Sequence, residues 1–148
     1  MLRIDQTVPE AFNKKFAPFF TFEEMKCKCG GKFCDPLKDD WWLQPEFTEF
    51  MRQAIMLRKQ LHFPFHVNSG YRCPRYNDSL YKGDGKHLDG PHVHGAMDIS
   101  VSFERSYALT AMATDFGMGV GCRQHGNPDL RFIHLDNRGA RLWTYNAN

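Results

Sequence analysis

Apolar residues recur at three- and four-residue steps along one stretch of the chain: Phe47, Phe50, Met51, Ala54 and Leu61. This spacing predicts an amphipathic helix with one stripe facing a core. Pro45 suits the first helical position, where its missing N–H costs nothing, and Pro64 ends the segment. Phe65-His66-Val67 reads as a short strand leading into Ser69-Gly70-Tyr71-Arg72. Met97-Asp98-Ile99-Ser100-Val101 alternates apolar and polar, as a half-buried strand does. Ser102 is placed to cap a second helix with Tyr107, Ala108, Ala111, Met112 and Phe116 as its buried side and Gly117 as its stop. Arg131 to Leu135 and Leu142 to Tyr145 are further strand candidates.

The remaining stretches lack such a period. Residues 1–20 read as an irregular N-terminal arm, and Thr21-Phe22-Glu23-Glu24 has the spacing of a capping box, which predicts a short helix. A cysteine- and glycine-rich loop follows from Cys27 to Cys34, with Gly30-Gly31 marking a turn. Residues 77–95 are polar and rich in Gly and His, so they predict a long loop of the kind that often carries function. Helices and strands are interspersed without any dinucleotide or phosphate loop. The expected architecture is α+β, a small mainly antiparallel sheet flanked by helices, in one domain spanning residues 1–148. A chain of this length buries a core without cross-links.

Charge and cysteine content narrow the functional classes. A formal net charge of +2 and no arginine stripe argue against nucleic acid, while the mild positive balance suits an anionic polymer such as a cell wall. Asp5, Glu10, Lys14 and Lys15 interrupt any apolar run near the start, so no secretory signal is read there, and no segment is apolar enough to span a membrane. The expectation is a soluble monomer made in the cytoplasm and without a membrane partner. There are five cysteines, so any intramolecular pairing leaves at least one thiol free. Cys27-x-Cys29-x4-Cys34 leaves two readings open. One is free thiols; the other is a second metal site, for which Cys73 or Cys122 would have to supply the fourth ligand. Adjacent Trp41 and Trp42 cannot both point inward on a regular strand, so one is expected to line a groove.

The chemistry-bearing residues are His92, His94, Asp98 and His134. Imidazole nitrogen and carboxylate oxygen are good zinc ligands, and a catalytic zinc takes three protein ligands and leaves a fourth position open. Two histidines and a carboxylate leave such a centre with a net charge of about +1, which activates water and polarises a carbonyl. His134 lies within the apolar run Phe132-Ile133-His134-Leu135, where an unpaired polar group would be costly. His62, His66, His87 and His125 read as ordinary surface or loop residues.

Three segments occur in a telling order: Ser69-Gly70-Tyr71-Arg72-Cys73-Pro74, then Gly90-Pro91-His92-Val93-His94-Gly95-Ala96-Met97-Asp98-Ile99, then Phe132-Ile133-His134-Leu135-Asp136. With Phe22 to Gly30 upstream and Trp143-Thr144-Tyr145 at the end, the sequence over about residues 20–146 resembles the M15 family of zinc D-Ala-D-Ala carboxypeptidase-like peptidases, including its phage endolysin-type members. The resemblance implies an α+β fold with one catalytic zinc (Zn2+) and substrates that are peptides of bacterial cell-wall peptidoglycan. It implies His92, Asp98 and His134 as zinc ligands, and Arg72 as the side chain that binds the substrate carbonyl and its developing oxyanion. Ser69 and Tyr71 are expected to shape that loop. The reaction would be that of a D-Ala-D-Ala carboxypeptidase or of an L-Ala-D-Glu or cross-link endopeptidase. The enzyme would be made in a host bacterium without a signal peptide and act on the wall after release.

Two departures from the family pattern bear on the site. The interval from His92 to Asp98 is one residue shorter than usual, which leaves His94 as an alternative ligand. The position three before His134, where relatives carry an acid, is Arg131. Asp136 is then the candidate general base, or else a carboxylate that orients a zinc ligand, with Asp129 a weaker candidate base. The missing acid also motivates a second functional reading, a zinc-containing cell-wall-binding module without catalysis.

Overall fold

Two threonine capping boxes organise the N-terminal third. The computed structural model describes residues 5–146, and residues 1–4 of the expected arm lie outside that range. Most of the rest of the arm is helical: α1 spans Val8–Phe16. Thr7 and Glu10 cap it reciprocally, Thr7 N–H donating to Glu10 Oε2 at 2.9 Å and Glu10 N–H to Thr7 Oγ1 at 3.4 Å. Phe12 and Phe16 make its buried stripe, too short a repeat to stand out against the polar residues between them. A second box, Thr21 with Glu24, opens α2 (Phe22–Met25) where the spacing predicts it.

Helix α3 (Pro45–Leu61) carries the predicted stripe, burying Phe47, Phe50, Met51, Ala54 and Leu57, with Leu61 packed at its margin. Strand β1 is His66–Ser69, one residue later than expected. The predicted loop 77–95 is not loop throughout: α4 (Pro74–Ser79) runs into its start and α5 (Pro91–His94) closes its end. Strand β2 is Ala96–Ser100, and α6 runs from Phe103 to Asp115. Helix α6 is rotated from the expected face. It buries Ser106, Leu109 and Ala113, while Tyr107 and Ala111 are exposed and Met112 and Phe116 lie at the core edge. The small residues face β3 and β4, where the helix crosses the sheet, and bulky Tyr107 is turned to solvent.

Strands β3 (Gly119–Arg123), β4 (Phe132–Asp136) and β5 (Arg141–Thr144) complete a five-stranded sheet in the order β1-β2-β4-β3-β5. All neighbours are antiparallel except β3 and β5, which are parallel, so the chain is α+β with a mainly antiparallel sheet. Side chains alternate between the two faces. Met97, Ile99, Val120, Ile133 and Leu135 join the core built with α3 and α6. Asp98, His134 and Asp136 occupy the opposite face, in register across β2 and β4.

Trp41 and Trp42 lie on a 3-10 turn (Trp41–Leu43) instead of a strand, and both are buried. The expectation that one lines a groove is therefore corrected: helical curvature lets neighbours share the core, where Trp41 stacks on Tyr71 with ring centroids 4.8 Å apart. Among the described residues, no helix is long and apolar enough to cross a membrane.

Strand β3 has glycine opposite the polar residues of β4, Gly119 facing Asp136 and Gly121 facing His134. The bare backbone lets β5 side chains reach across it, so Arg141 bonds to Asp136 and Trp143 packs on His134 with centroids 5.4 Å apart. A Cβ on Gly121 would stand 2.6 Å from the Trp143 ring. Gly121→Ala should therefore cost about 1–3 kcal/mol by overpacking, read as a lower urea midpoint with an unchanged slope.

Candidate metal centre

The antiparallel register of β2 and β4 places Asp98 directly opposite His134. His92 arrives from α5, a single turn held by Gly95 N–H to Pro91 O at 2.9 Å. The His92 carbonyl accepts from Arg72 N–H at 3.0 Å, and its ring Nδ1 donates to Gly70 O at 2.7 Å. These two bonds fix the ring with Nε2 free, 3.3 Å from Asp98 Oδ1. His134 Nδ1 lies 2.9 Å from the same oxygen, and its Nε2 is 2.8 Å from Asp136 Oδ2. The three ligating atoms lie within 4.8 Å of one another. Donors around a tetrahedral zinc, with bonds of about 2.0–2.1 Å, are about 3.3 Å apart. The donor set and its spacing therefore fit a divalent cation such as zinc.

The protonation preferences of His92 and Asp98 agree with that fit, whereas His134 would have to give up a proton to a metal. Burial lowers the pKa of His92, which favours the neutral ring a metal requires. Burial opposes ionisation of Asp98, but the neighbouring His134 and His92 rings outweigh it and hold the carboxyl below its ordinary range. Burial would also lower His134, yet the carboxylates of Asp136 and Asp98 raise it. Asp136 is pulled down despite its burial by His134, the Arg138 N–H and Arg141.

The structure sorts the sequence-nominated residues. His92, Asp98 and His134 converge, and Arg72 joins them, its Nη2 3.4 Å from Asp98 Oδ2 and its Nε donating to Ser69 Oγ at 3.0 Å. His94 points elsewhere: Nδ1 is 2.8 Å from Glu46 Oε2 and Nε2 meets Asp89. Asp136 is fully buried behind His134, with Arg141 Nη2 at 2.7 Å and Arg138 N–H at 3.0 Å. Its carboxylate is wholly engaged by His134, Arg141 and the Arg138 N–H, the placement of the ligand-orienting partner that the sequence reading also allowed. Asp129 is exposed on the Pro128–Leu130 turn, outside the site.

Arg72 and the three candidate ligands line one open cavity of about 470 Å³. Sequence reasoning missed its other walls. His87, read as an ordinary loop residue, lines it and stacks on Tyr81 with centroids 4.1 Å apart. Trp143 and Tyr145 of the C-terminal segment form the opposite wall with Phe132. Burial pushes the Tyr145 hydroxyl up to about 12. The signal available was the aromatic pair itself, at the alternation that puts both side chains on one strand face.

The stretch carrying Tyr81 and His87 is tied down from beneath. Buried Asn77 donates from Nδ2 to His87 O at 2.7 Å. Buried Asp78 accepts from Gly85 N–H at 2.9 Å and His87 N–H at 2.8 Å. Comparison with protein-family models, with characterised proteins and with solved structures gives no match for this chain.

The N–H groups of Gly85 and His87 lower the pKa of Asp78. Its anchoring is therefore fully present above the ordinary aspartate pKa of about 3.9 and is lost as pH falls through the lowered folded value. The amide resonances of Gly85 and His87 should titrate together below that ordinary range. In Asp78→Asn the shared titration should vanish, and the stretch 80–89 should be nicked faster by protease at neutral pH.

Proposed function

We propose that this chain is a zinc-dependent peptidase that hydrolyses peptide bonds of bacterial cell-wall peptidoglycan, in the manner of a phage-type M15 endolysin. One observation carries the reading: Arg72, His92, Asp98 and His134 were nominated together by the order of motifs in the sequence, and these four side chains line one cavity. Residues spread over 62 positions have no local reason to meet, as His134 and Arg72 do across β2.

His92 Nε2, His134 Nδ1 and an Asp98 oxygen would hold the metal. When bound, zinc supplies a Lewis acid that activates water and polarises the scissile carbonyl. Asp136 keeps the His134 ring turned toward Asp98 and raises its basicity, while the Gly70 carbonyl does the same for His92. Arg72 is braced by Ser69 and aimed along the cavity wall, where its guanidinium stabilises negative charge developing on the substrate oxygen. Besides the ligands, the proton-accepting side chains lining the cavity are His87 and Asp89, and Asp89 is paired with His94 and Arg138. His87 is accordingly the side chain placed here as proton carrier. The cavity is open on one side and walled by Trp143, Tyr145 and Tyr81, a shape that admits an extended peptide.

The expected result is release of amino groups from purified peptidoglycan that stops on chelation and returns with zinc. His134→Ala should abolish it. Arg72→Ala should lower kcat by about 10²–10³-fold with zinc content unchanged, and His87→Gln should lower kcat with zinc retained. Asp136→Asn should weaken zinc binding by about 10–100-fold. The second reading, a zinc-containing wall-binding module, draws on the absence of an acid at Arg131; it predicts zinc and wall binding with no amino groups released.

A further inference from the structure

Cys27, Cys29 and Cys34 lie on the loop after α2, and Cys73 is 46 residues beyond Cys27, at the N-cap of α4. Folding brings these four together, with sulfurs all within 4.8 Å of one another. Cys29 Sγ and Cys34 Sγ are 3.6 Å apart and the cysteines are free thiols. A disulfide would need about 2.05 Å, whereas thiolates at about 2.3 Å from a tetrahedral zinc stand about 3.8 Å apart. Cys27, Cys29 and Cys34 alone are one ligand short of a closed site, and the fold brings Cys73 to them as the fourth.

The surroundings suit thiolates. Cys73 N–H donates to Cys27 Sγ at 3.3 Å. An N–H donor of this kind orients a sulfur ligand and offsets its charge. Gly30 and Gly31, at φ 65° and 83°, turn the chain tightly between Cys29 and Cys34. Lys28 and Lys32 lie on the same loop and Arg75 two residues beyond Cys73, cations that offset part of the negative charge four thiolates would leave around a divalent cation. Cys122, on β3, is outside the cluster.

We propose that Cys27, Cys29, Cys34 and Cys73 hold a second zinc, a closed tetrathiolate site that clamps the cysteine loop to the segment carrying Gly70 and Arg72. Four protein ligands leave no open position, so the site is structural. The clamp adds to direct contacts between the same segments: Tyr71 N–H donates to Met25 O at 2.8 Å, and Tyr71 stacks on Trp41. Cys73 directly follows Arg72, so the metal fixes the base of the loop that presents the guanidinium and the Gly70 carbonyl to the other centre. The proposal rests on the cysteine geometry alone and stands whether or not the cavity is catalytic.

The test is zinc content by elemental analysis, together with cobalt substitution of the unaltered chain. About two zincs per chain are expected, falling to about one in His134→Ala and to about one in Cys29→Ser. Cobalt should give thiolate-to-metal charge-transfer bands that persist in His134→Ala. Those bands can come only from the cysteines, so the spectrum decides the matter even if Cys29→Ser fails to fold. In the native protein Cys27, Cys29, Cys34 and Cys73 should react with a thiol reagent only after chelation. A metal content that His134→Ala reduces to zero, cobalt without charge-transfer bands, or a Cys29–Cys34 disulfide found by mass spectrometry would each overturn the proposal.

Discussion

The pairing of β2 with β4 sets the conditions for everything else in the molecule. Asp98 faces His134 and Ile99 faces Ile133, so one register puts carboxylate against imidazole on one face and closes the core on the other. Because side chains alternate with a period of two, a slip of one residue would drive Asp98 into the contacts of Met97 and Ile99, and expose those residues in turn. The hydrophobic core thus enforces the geometry of the polar site. Helices α3 and α6 pack against the apolar face, and their burial fixes which edge of each strand is available for chemistry.

The polar face is costly unless each buried group is partnered. His134 is buried with a carboxylate at each ring nitrogen, and fully buried Asp136 is answered by His134, Arg141 and the Arg138 N–H. Arg141 reaches Asp136 only because Gly119 offers no side chain between them. The glycines of β3, the arginine of β5 and the carboxylate of β4 therefore form one device that orients a single imidazole. Such convergence on one ring is more than a strand of an ordinary sheet requires, and it is what a metal ligand with a fixed tautomer needs.

The legible parts of this chain were those whose signal is local and periodic. The stripe of α3, the alternation of β2 and the apolar run around His134 follow from a few neighbouring residues, and the candidate ligands were readable because they sit in two short motifs, one with His92 and Asp98 and one with His134. Helix α1 was missed because only Phe12 and Phe16 mark its face, although Thr7 and Glu10 carried the capping signal. The face of α6 was misjudged because the sheet accepts Ser106 and Ala113 in preference to bulky Tyr107, a choice made by the partner surface and invisible in the helix itself. Trp41 and Trp42 were misplaced through an assumed strand geometry. His87 and the cavity face of Trp143 were hidden for a different reason: what they line is created by the loop that Asn77 and Asp78 anchor and by the crossing over Gly121. Cys73 could not be joined to Cys27, Cys29 and Cys34 without the fold, since nothing local relates residues on two separate loops.

The two clusters are coupled through five consecutive residues. Ser69 ends β1 opposite Asp98 and braces Arg72, Gly70 holds the ring of His92, and Tyr71 stacks on Trp41 in the core. Arg72 bonds through its backbone to His92 and through its side chain to Asp98, and Cys73 belongs to the thiol cluster. Cys73 is therefore one residue from Arg72 and three from the carbonyl that accepts from the His92 ring. A sheet strand alone would not hold this segment, because β1 is an edge strand with a register shift between Val67 and Ser69 and ends at Ser69. Beyond that point the backbone has no ladder partner and relies on Met25, His92 and the cysteines. An irregular segment can position a charged side chain to within a fraction of an ångström only if it is fixed at both ends. Here β1 fixes one end and the cysteine cluster the other.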